Sequence, residues 1–190
     1  SVRIQPNLLD IVLIKSEGLP TYHFAHVVDD YLMGTTHVVR GEEWLSTYPV
    51  HLELFEMLGW EKPNFCHTSH LMKMDGDTRR KLSKRLDPEL SLTYYQEQGY
   101  HPQAIREYLY GLLQSNFEEW RMEQPEASLD DFHFDLELMG HSGALFDLNK
   151  LDDVSKDVLA RLDGEKFRDF ILEYAKDYAQ GKITDKQDMN

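Results

Sequence analysis

A basic stretch from Lys73 to Arg85 contains the residues best suited to chemistry in this chain. Six of its thirteen residues are lysine or arginine, although the whole chain has a formal charge of −14. Its second half reads Lys81-Leu82-Ser83-Lys84-Arg85, so two ammonium groups and a hydroxyl could close on a polyphosphate. Lysine suits that task because its flexible point charge can follow a phosphoryl group as negative charge develops. These residues alone are equally compatible with a solvated run of charges.

The surrounding pattern predicts the elements that would position this stretch. Asp75-Gly76 indicates a turn, and the residues after it lack an apolar period, which predicts a mobile surface loop. Apolar runs predict strands over residues 10–15, 35–40 and 65–72, and helical spacing predicts helices over 22–33 and 43–58. This alternation indicates a parallel sheet with right-handed crossovers. Such sheets bind ligands at the carboxyl ends of their strands, where Arg40 and the basic stretch both fall.

After about residue 88 the pattern becomes purely helical. It predicts helices over 91–98, 102–113, 128–133, 149–161 and 164–180, a loop over 114–127 and a frayed end at 181–190. The predicted fold class is therefore α/β followed by all-α. We expect two domains, residues 1–90 and residues 91–190.

The composition of the chain limits the class of protein and the compartment it belongs to. The chain is 41% hydrophobic and 28% charged, as in ordinary globular proteins, and neither a membrane-spanning run nor a signal peptide is recognisable. The single cysteine, Cys66, excludes an internal disulfide framework and favours the cytoplasm. Residues 1–72 carry a net charge of −5, residues 73–85 of +4 and residues 86–190 of −13, so any nucleic-acid contact must be local. Because the chain starts at Ser1, we expect an internal piece of a longer protein.

Several spaced motifs resemble those of one family. In chain order they are Ile14-Lys15-Ser16-Glu17-Gly18-Leu19-Pro20-Thr21-Tyr22-His23-Phe24-Ala25, Val28-Asp29-Asp30, Met33-Gly34, Val39-Arg40-Gly41-Glu42-Glu43-Trp44-Leu45 and Lys81-Leu82-Ser83-Lys84-Arg85. Together they resemble bacterial glutamyl-tRNA synthetases, which are class I aminoacyl-tRNA synthetases. The resemblance is close over residues 10–112, and Gly143 to Leu151 resembles the family's later Phe-Asp-x-x-Lys-Leu segment.

The resemblance implies a fold and a reaction. The fold would be the second half of a doubly wound, Rossmann-type catalytic domain, followed by a helical region that contacts the tRNA stem. The reaction would join glutamate to ATP, which carries Mg²⁺, giving glutamyl-adenylate and pyrophosphate, and would then transfer glutamate to tRNA(Glu). Lys84 would stabilise the departing pyrophosphate, assisted by Lys81 and Ser83, because in-line attack depends on alignment and charge neutralisation.

The same resemblance assigns the substrate contacts. Arg40 would bind the side-chain carboxylate of glutamate with its planar fork, and Tyr22 would hydrogen-bond the amino acid. His26 stands where many relatives have Asn, which weakens its assignment to the α-carboxylate. Glu43 and Trp44 would lie beside ATP. The alternatives are a surface ion pair for Arg40 and plain core positions for Tyr22 and Trp44.

Departures from the family pattern limit the prediction. Arg79 and Arg80 extend the basic stretch, and either reach tRNA phosphates or merely solvate a longer loop. The family's His-x-Gly-His motif is absent, so we expect the isolated chain to be inactive. We expect the full-length parent to be a monomer. Cys66, His67 and His70 lack a fourth metal ligand, and no metal bound by the chain itself is expected. The rival functions are a non-catalytic module that binds tRNA or a protein partner, and a glutaminyl or queuosine-modifying relative.

Overall fold

The computed structural model describes residues 7, 8, 10–140 and 143–178. The chain forms two compact units that divide between Ser69 and His70. Helices and strands alternate in the first unit, and the second unit contains a small sheet and several helices. This architecture confirms the predicted class, α/β followed by helices. The predicted boundary near residue 90 separates functional roles rather than compact units, and it stays a prediction.

The first unit is built on two parallel strands. Helix α1 spans Tyr22–Leu32, strand β1 His37–Gly41, helix α2 Tyr48–Leu58 and strand β2 Asn64–Thr68, with a 3-10 helix at Glu42–Thr47 before α2. The strands pair in parallel, with Arg40 opposite His67 near their carboxyl ends. The helical crossover predicted between them is confirmed, although the helix predicted over 43–58 begins with 3-10 rather than α geometry. This crossover places both carboxyl ends at one edge of the sheet.

An apolar core holds these helices together. Val27 of α1 packs with Val50, Leu54 and Phe55 of α2, and all four side chains are buried. Their helical spacing puts the α2 residues on the face that turns toward α1. Helix α2 ends at Gly59, whose φ of +68° lies in the left-handed region that glycine adopts without strain.

Residues 10–15 do not form the predicted strand. Ile14 makes only an isolated antiparallel bridge with Pro20, across a turn in which Gly18 has a φ of +86°. Val12 is 65% exposed and Ile14 is 55% exposed. A β-branched run becomes a buried strand only when neighbouring strands and helices cover it. In the described part of the chain no strand pairs with this run beyond that bridge, so the prediction is wrong.

The third strand predicted over residues 65–72 is two strands in two sheets. Strand β2 ends at Thr68, and strand β3, at Leu71–Asp75, begins a separate sheet in the second unit. That sheet has the order β4, β3, β5, with β4 at Thr78–Lys81 and β5 at Ala144–Leu145. The sequence does not mark the break because strand-forming residues lie on both sides of it.

The mobile loop predicted over residues 73–85 is mostly a β-hairpin. Strands β3 and β4 pair in antiparallel fashion around Gly76, whose φ is +59°. The turn at Asp75-Gly76 is therefore confirmed, and the loop is wrong. The charged side chains hid the strand alternation, because cations lie on both faces of the hairpin. Only the residues after Lys81 leave regular structure, in a turn that precedes a 3-10 helix at Pro88–Leu90.

Helices complete the described part of the second unit. They are α3 Leu92–Glu97, α4 Pro102–Leu113, α5 Asn116–Glu123, α6 Leu148–Arg161 and α7 Gly164–Tyr178. The helices predicted over 91–98, 102–113 and 149–161 are confirmed, and so is the last helix as far as Tyr178. Residues 179 and 180 of that prediction, and the frayed end predicted at 181–190, lie outside the described residues. No helix within the described ranges has the length and apolar content needed to cross a bilayer.

Two predictions between α4 and α6 are wrong. Residues 114–127 contain helix α5, because Phe117 and Trp120 anchor it against Leu129 and Phe132 in an aromatic cluster. Two aromatic residues among polar ones gave too weak a period to indicate a helix. The helix predicted over 128–133 is a single 3-10 turn at Leu129–Asp131, closed by hydrogen bonds between Ser128 and Asp131.

Candidate active site

Four of the predicted substrate-binding residues lie together in the first unit. Tyr22 and His26 come from the first turns of α1, Arg40 from the end of β1, and Trp44 from the 3-10 helix that follows. The ring centroids of Tyr22 and Trp44 are 4.7 Å apart, and those of Tyr22 and His26 are 5.6 Å apart with nearly parallel planes. The Arg40 guanidinium carbon lies 5.8 Å from the Trp44 ring centroid. Tyr22 is 51% exposed, so it is not a core tyrosine.

Glu43 lies at the edge of this group. A Cβ atom on Gly41 would clash with Glu43 Oε2, because the Glu43 side chain folds back against the Gly41 backbone. Glycine at position 41 therefore leaves the space that this carboxylate occupies. The side chain of Trp44 turns instead toward Tyr22.

Arg40 is held by histidines rather than by a carboxylate. Its Nε donates to His67 Nε2 at 3.2 Å. Its Nη1 lies 3.1 Å from His51 Nδ1 and 3.5 Å from His26 Nε2. The surface ion pair considered from the sequence is therefore not what the structure shows for this side chain. Sequence reasoning missed His51 and His67 as partners, although His67 follows from the parallel register opposite Arg40.

The guanidinium fixes the protonation of these rings. Arginine has only N–H donors, so each imidazole nitrogen that faces Arg40 must present a lone pair. His51 Nδ1 then accepts from Arg40, and its protonated Nε2 donates to His23 Nδ1 at 3.0 Å. His26 accepts at Nε2, and its Nδ1 lies 3.0 Å from Asp30 Oδ2. A ring of neutral imidazoles therefore surrounds one positive charge.

Burial keeps these imidazoles neutral. Desolvation, and then the charge of Arg40, lowers the pKa of the fully buried His51 to about 3. The same two effects lower the pKa of His67. Desolvation also lowers the pKa of His26, although the carboxylate of Asp30 opposes it. The cluster therefore leaves the charge of Arg40 uncompensated by its hydrogen-bond partners.

One nitrogen of Arg40 is left to bind a ligand. Its Nη2 is buried and makes no hydrogen bond with any described residue. A buried donor without a partner costs about 1–3 kcal/mol, and more when it is charged. A carboxylate placed on Nη2 would accept from this donor and would bring the negative charge that the neutral imidazoles do not supply.

The residues predicted to act on phosphate lie in the second unit. Lys81 ends β4, with its Nζ 3.2 Å from His70 Nε2. Ser83 donates its backbone N–H to Asp87, and Ser83 Oγ accepts from the Arg85 backbone at 3.4 Å. Lys84 is exposed at the tip of the turn. The meeting of this turn with the Arg40 group stays a prediction.

No described group of three or more His, Cys, Asp or Glu residues is arranged to hold a metal ion. The histidines that the sequence raised as possible ligands contact other groups. His67 faces Arg40, and His70 lies beside Lys81.

Comparison with known proteins identifies the family. The model for the catalytic domain of class I tRNA synthetases (E and Q) matches residues 1–153. The chain belongs to this family. The glutamate–tRNA ligase of Acetivibrio thermocellus is 62% identical to it over 175 residues, which cover 92% of the chain and 32% of that relative. The ligase of Clostridium perfringens (strain 13 / Type A) is 54% identical over 177 residues, covering 93% of the chain and 32% of the relative.

Solved structures agree with this membership. A glutamate tRNA ligase from Elizabethkingia meningosepticum, solved in complex with its amino acid, superimposes with a TM-score of 0.75 at 31% identity. The match covers 95% of this chain and 38% of that structure. The chain thus spans about a third of the length of these relatives. Their shared architecture agrees with the Rossmann-type α/β class predicted for this chain.

Proposed function

We propose that this chain is part of a glutamate–tRNA ligase, and that Arg40 binds the side-chain carboxylate of glutamate. The observation that carries the proposal is the buried Nη2 of Arg40, which no described residue satisfies, within a ring of neutral imidazoles. A guanidinium whose direct hydrogen-bond partners are neutral favours a carboxylate over a carboxamide, because only the carboxylate brings the opposite charge. The two relatives described above are named glutamate–tRNA ligases, which supports the same substrate.

The neighbouring side chains suggest how the amino acid would be oriented. The half-exposed ring of Tyr22 lies over His26 and against Trp44, and its hydroxyl lies beside the Arg40 guanidinium, where it could contact the same ligand. His26 could donate to the α-carboxylate only after losing its contact with Asp30, so its role is the weaker assignment. Trp44 and Glu43 follow Arg40 in the chain and would lie toward ATP.

The proposed chemistry begins with activation of glutamate. An oxygen of the α-carboxylate attacks the α-phosphorus of Mg²⁺-bound ATP, an oxygen–phosphorus bond forms, and the bond from the α-phosphorus to the bridging oxygen of pyrophosphate breaks. Lys84 would stabilise the charge on the departing pyrophosphate, with Lys81 and Ser83 beside it. A ribose hydroxyl of the terminal adenosine of tRNA(Glu) then attacks the acyl carbon of the adenylate. The ester forms, the bond to AMP breaks, and AMP and the hydroxyl proton leave.

The proposal also assigns roles along the chain. Residues 1–90 would be the second half of the catalytic domain, and residues 91–190 a helical region that contacts the tRNA stem. Because the relatives are about three times longer, we expect the activity in the longer protein rather than in the isolated chain. We propose a monomer in the cytoplasm for that protein.

Amino-acid-dependent ATP–pyrophosphate exchange tests this function in the full-length protein. With tRNA present, we expect exchange with glutamate and little with glutamine. Exchange with glutamine alone would instead indicate a glutaminyl relative. Binding of tRNA without exchange for any amino acid would overturn the proposal in favour of a non-catalytic binding module.

A further inference from the structure

The basic side chains of the hairpin that precedes Lys84 lie on two different faces. Lys73 of β3 pairs in register with Arg80 of β4, so their side chains share one face of the hairpin. Arg79 and Lys81 alternate with Arg80 and therefore lie on the opposite face, where both are exposed. The shared face of Lys73 and Arg80 is turned toward Asp87.

Asp87 is a buried carboxylate that pairs with both Lys73 and Arg80. It is 1% exposed, and Arg80 donates to its two oxygens from Nη1 at 2.6 Å and from Nη2 at 2.7 Å. Lys73 Nζ lies 3.5 Å from Asp87 Oδ1 and also pairs with the buried Glu89. The pair with Arg80 and the backbone N–H of Ser83 hold the pKa of Asp87 well below its usual range. Bidentate pairing of this kind fixes geometry as well as charge.

The same carboxylate closes the turn that carries Lys84. The backbone N–H of Ser83 donates to Asp87 Oδ2 at 2.7 Å. In the other direction, the backbone N–H groups of Leu86 and Asp87 donate to the Ser83 carbonyl at 3.0 and 2.9 Å. Residues 83–87 are thus tied at both ends, with Lys84 at the exposed tip. Leu82, 4% exposed, anchors the start of the turn in the apolar core of the second unit.

We propose that Asp87 is a positioning residue that, together with Arg80, sets where the turn presents Lys84. The role rests on the proposed function, because the position of the Lys84 side chain matters only if Lys84 binds phosphate. Arg80 is then an internal clamp rather than a contact for nucleic acid, whereas the exposed Arg79 remains available to an anionic partner. Asp87 belongs to no sequence motif that we recognised. Its partner Arg80 was interpreted from the sequence as a cation of a surface loop, so the pair was not predicted.

Kinetics in the full-length protein test the proposal. We compare Asp87→Asn, Asp87→Ala and Arg80→Gln with Asp77→Asn, which removes a carboxylate from the exposed hairpin turn without touching the clamp. We expect the Asp87 variants to lose about a hundredfold in kcat/KM for ATP in glutamate-dependent exchange, the scale of a misplacement of about 1 Å. The KM for glutamate should stay at the wild-type value. Arg80→Gln combined with Asp87→Asn should be no worse than Asp87→Asn alone, because both disrupt one clamp.

Limited trypsin digestion separates positioning from loss of the fold. Cleavage after Lys84 or Arg85 is measured by mass spectrometry relative to cleavage after Lys156, an exposed lysine of α6. We expect this ratio to rise about tenfold in Asp87→Asn and to stay unchanged in Asp77→Asn. General destabilisation would raise both cleavage rates, leave the ratio constant and overturn the proposal.

The digestion also distinguishes this inference from the proposed function. If the wild-type protein showed no glutamate-dependent exchange, the proposed function would fail, whereas a raised cleavage ratio would still establish the clamp. Equal cleavage ratios and equal kcat/KM for ATP in Asp87→Asn and Asp77→Asn would overturn the clamp, whatever substrate the wild type uses.

Discussion

Replacing His51 with phenylalanine tests how the Arg40 site is held. His51 is fully buried, and its Nδ1 is the nearer of the two imidazole acceptors that Arg40 Nη1 has, at 3.1 Å against 3.5 Å for His26. Phenylalanine fills a similar space and offers no acceptor, so Nη1 loses its shorter hydrogen bond. A hydrogen bond to a charged group contributes about 1.5–3 kcal/mol. At about 1.4 kcal/mol per factor of ten, the KM for glutamate should rise about tenfold to a hundredfold.

The assay is glutamate-dependent ATP–pyrophosphate exchange in the full-length protein, with the KM for ATP measured in parallel. His51→Asn is the matched variant, because its side-chain oxygen can replace Nδ1 as the acceptor for Arg40. We expect a rise of only a few fold in KM for glutamate in that variant. The KM for ATP should stay unchanged in both. A wild-type KM for glutamate in a folded His51→Phe protein would refute the account of how Arg40 is oriented.

Three further results are expected. The free energy of unfolding should fall by at least about 1 kcal/mol from pH 7 to pH 5.5, because an unfolded imidazole of pKa about 6.5 gains a proton that folded His51, with a pKa of about 3, does not. The lowered pKa values of His26 and His67 add to this fall. Urea titrations should show the fall, and should show it about 1 kcal/mol smaller in His51→Asn. Lys84→Ala should slow exchange about a hundredfold with the KM for glutamate unaltered, and unaltered exchange would refute its role. Glu107→Gln should lower the free energy of unfolding by about 3 kcal/mol in chemical denaturation, because buried Glu107 pairs with Arg161 at 2.6 Å and with Arg121 at 3.2 Å. A decrease below about 0.5 kcal/mol would show that these two ion pairs do not stabilise the fold.

Local patterns predicted the parts of the fold that carry their own signals. Helix α4 begins at Pro102 and ends at Leu113 as its spacing predicts, and β1 with Arg40 near its end follows from a short β-branched run before Gly41. The apolar spacing that identifies each of these elements, and the residues that end it, lie within the element or next to it in the sequence.

The errors have a common physical origin, which is that local patterns do not report tertiary partners. Residues 10–15 looked like a buried strand, but a strand depends on neighbours that the pattern cannot name. The hairpin of β3 and β4 was hidden because two of its cations, Lys73 and Arg80, pair with Asp87 and Glu89, which come later in the chain.

The candidate site divides in the same way. Tyr22, Arg40 and Trp44 were identified through their motifs, and the structure brings them together. His51 and His67 belong to no motif, and only the packing of α2 and β2 reveals them beside Arg40.

The glutamate dependence of exchange in Arg40→Ala tests the central claim most directly. Removing the guanidinium deletes the only group proposed to pair with the side-chain carboxylate, and Arg40→Lys keeps the charge without the planar fork. We expect the KM for glutamate to rise at least about a hundredfold in Arg40→Ala and less in Arg40→Lys, with the KM for ATP unchanged. A wild-type KM for glutamate in Arg40→Ala would contradict the account.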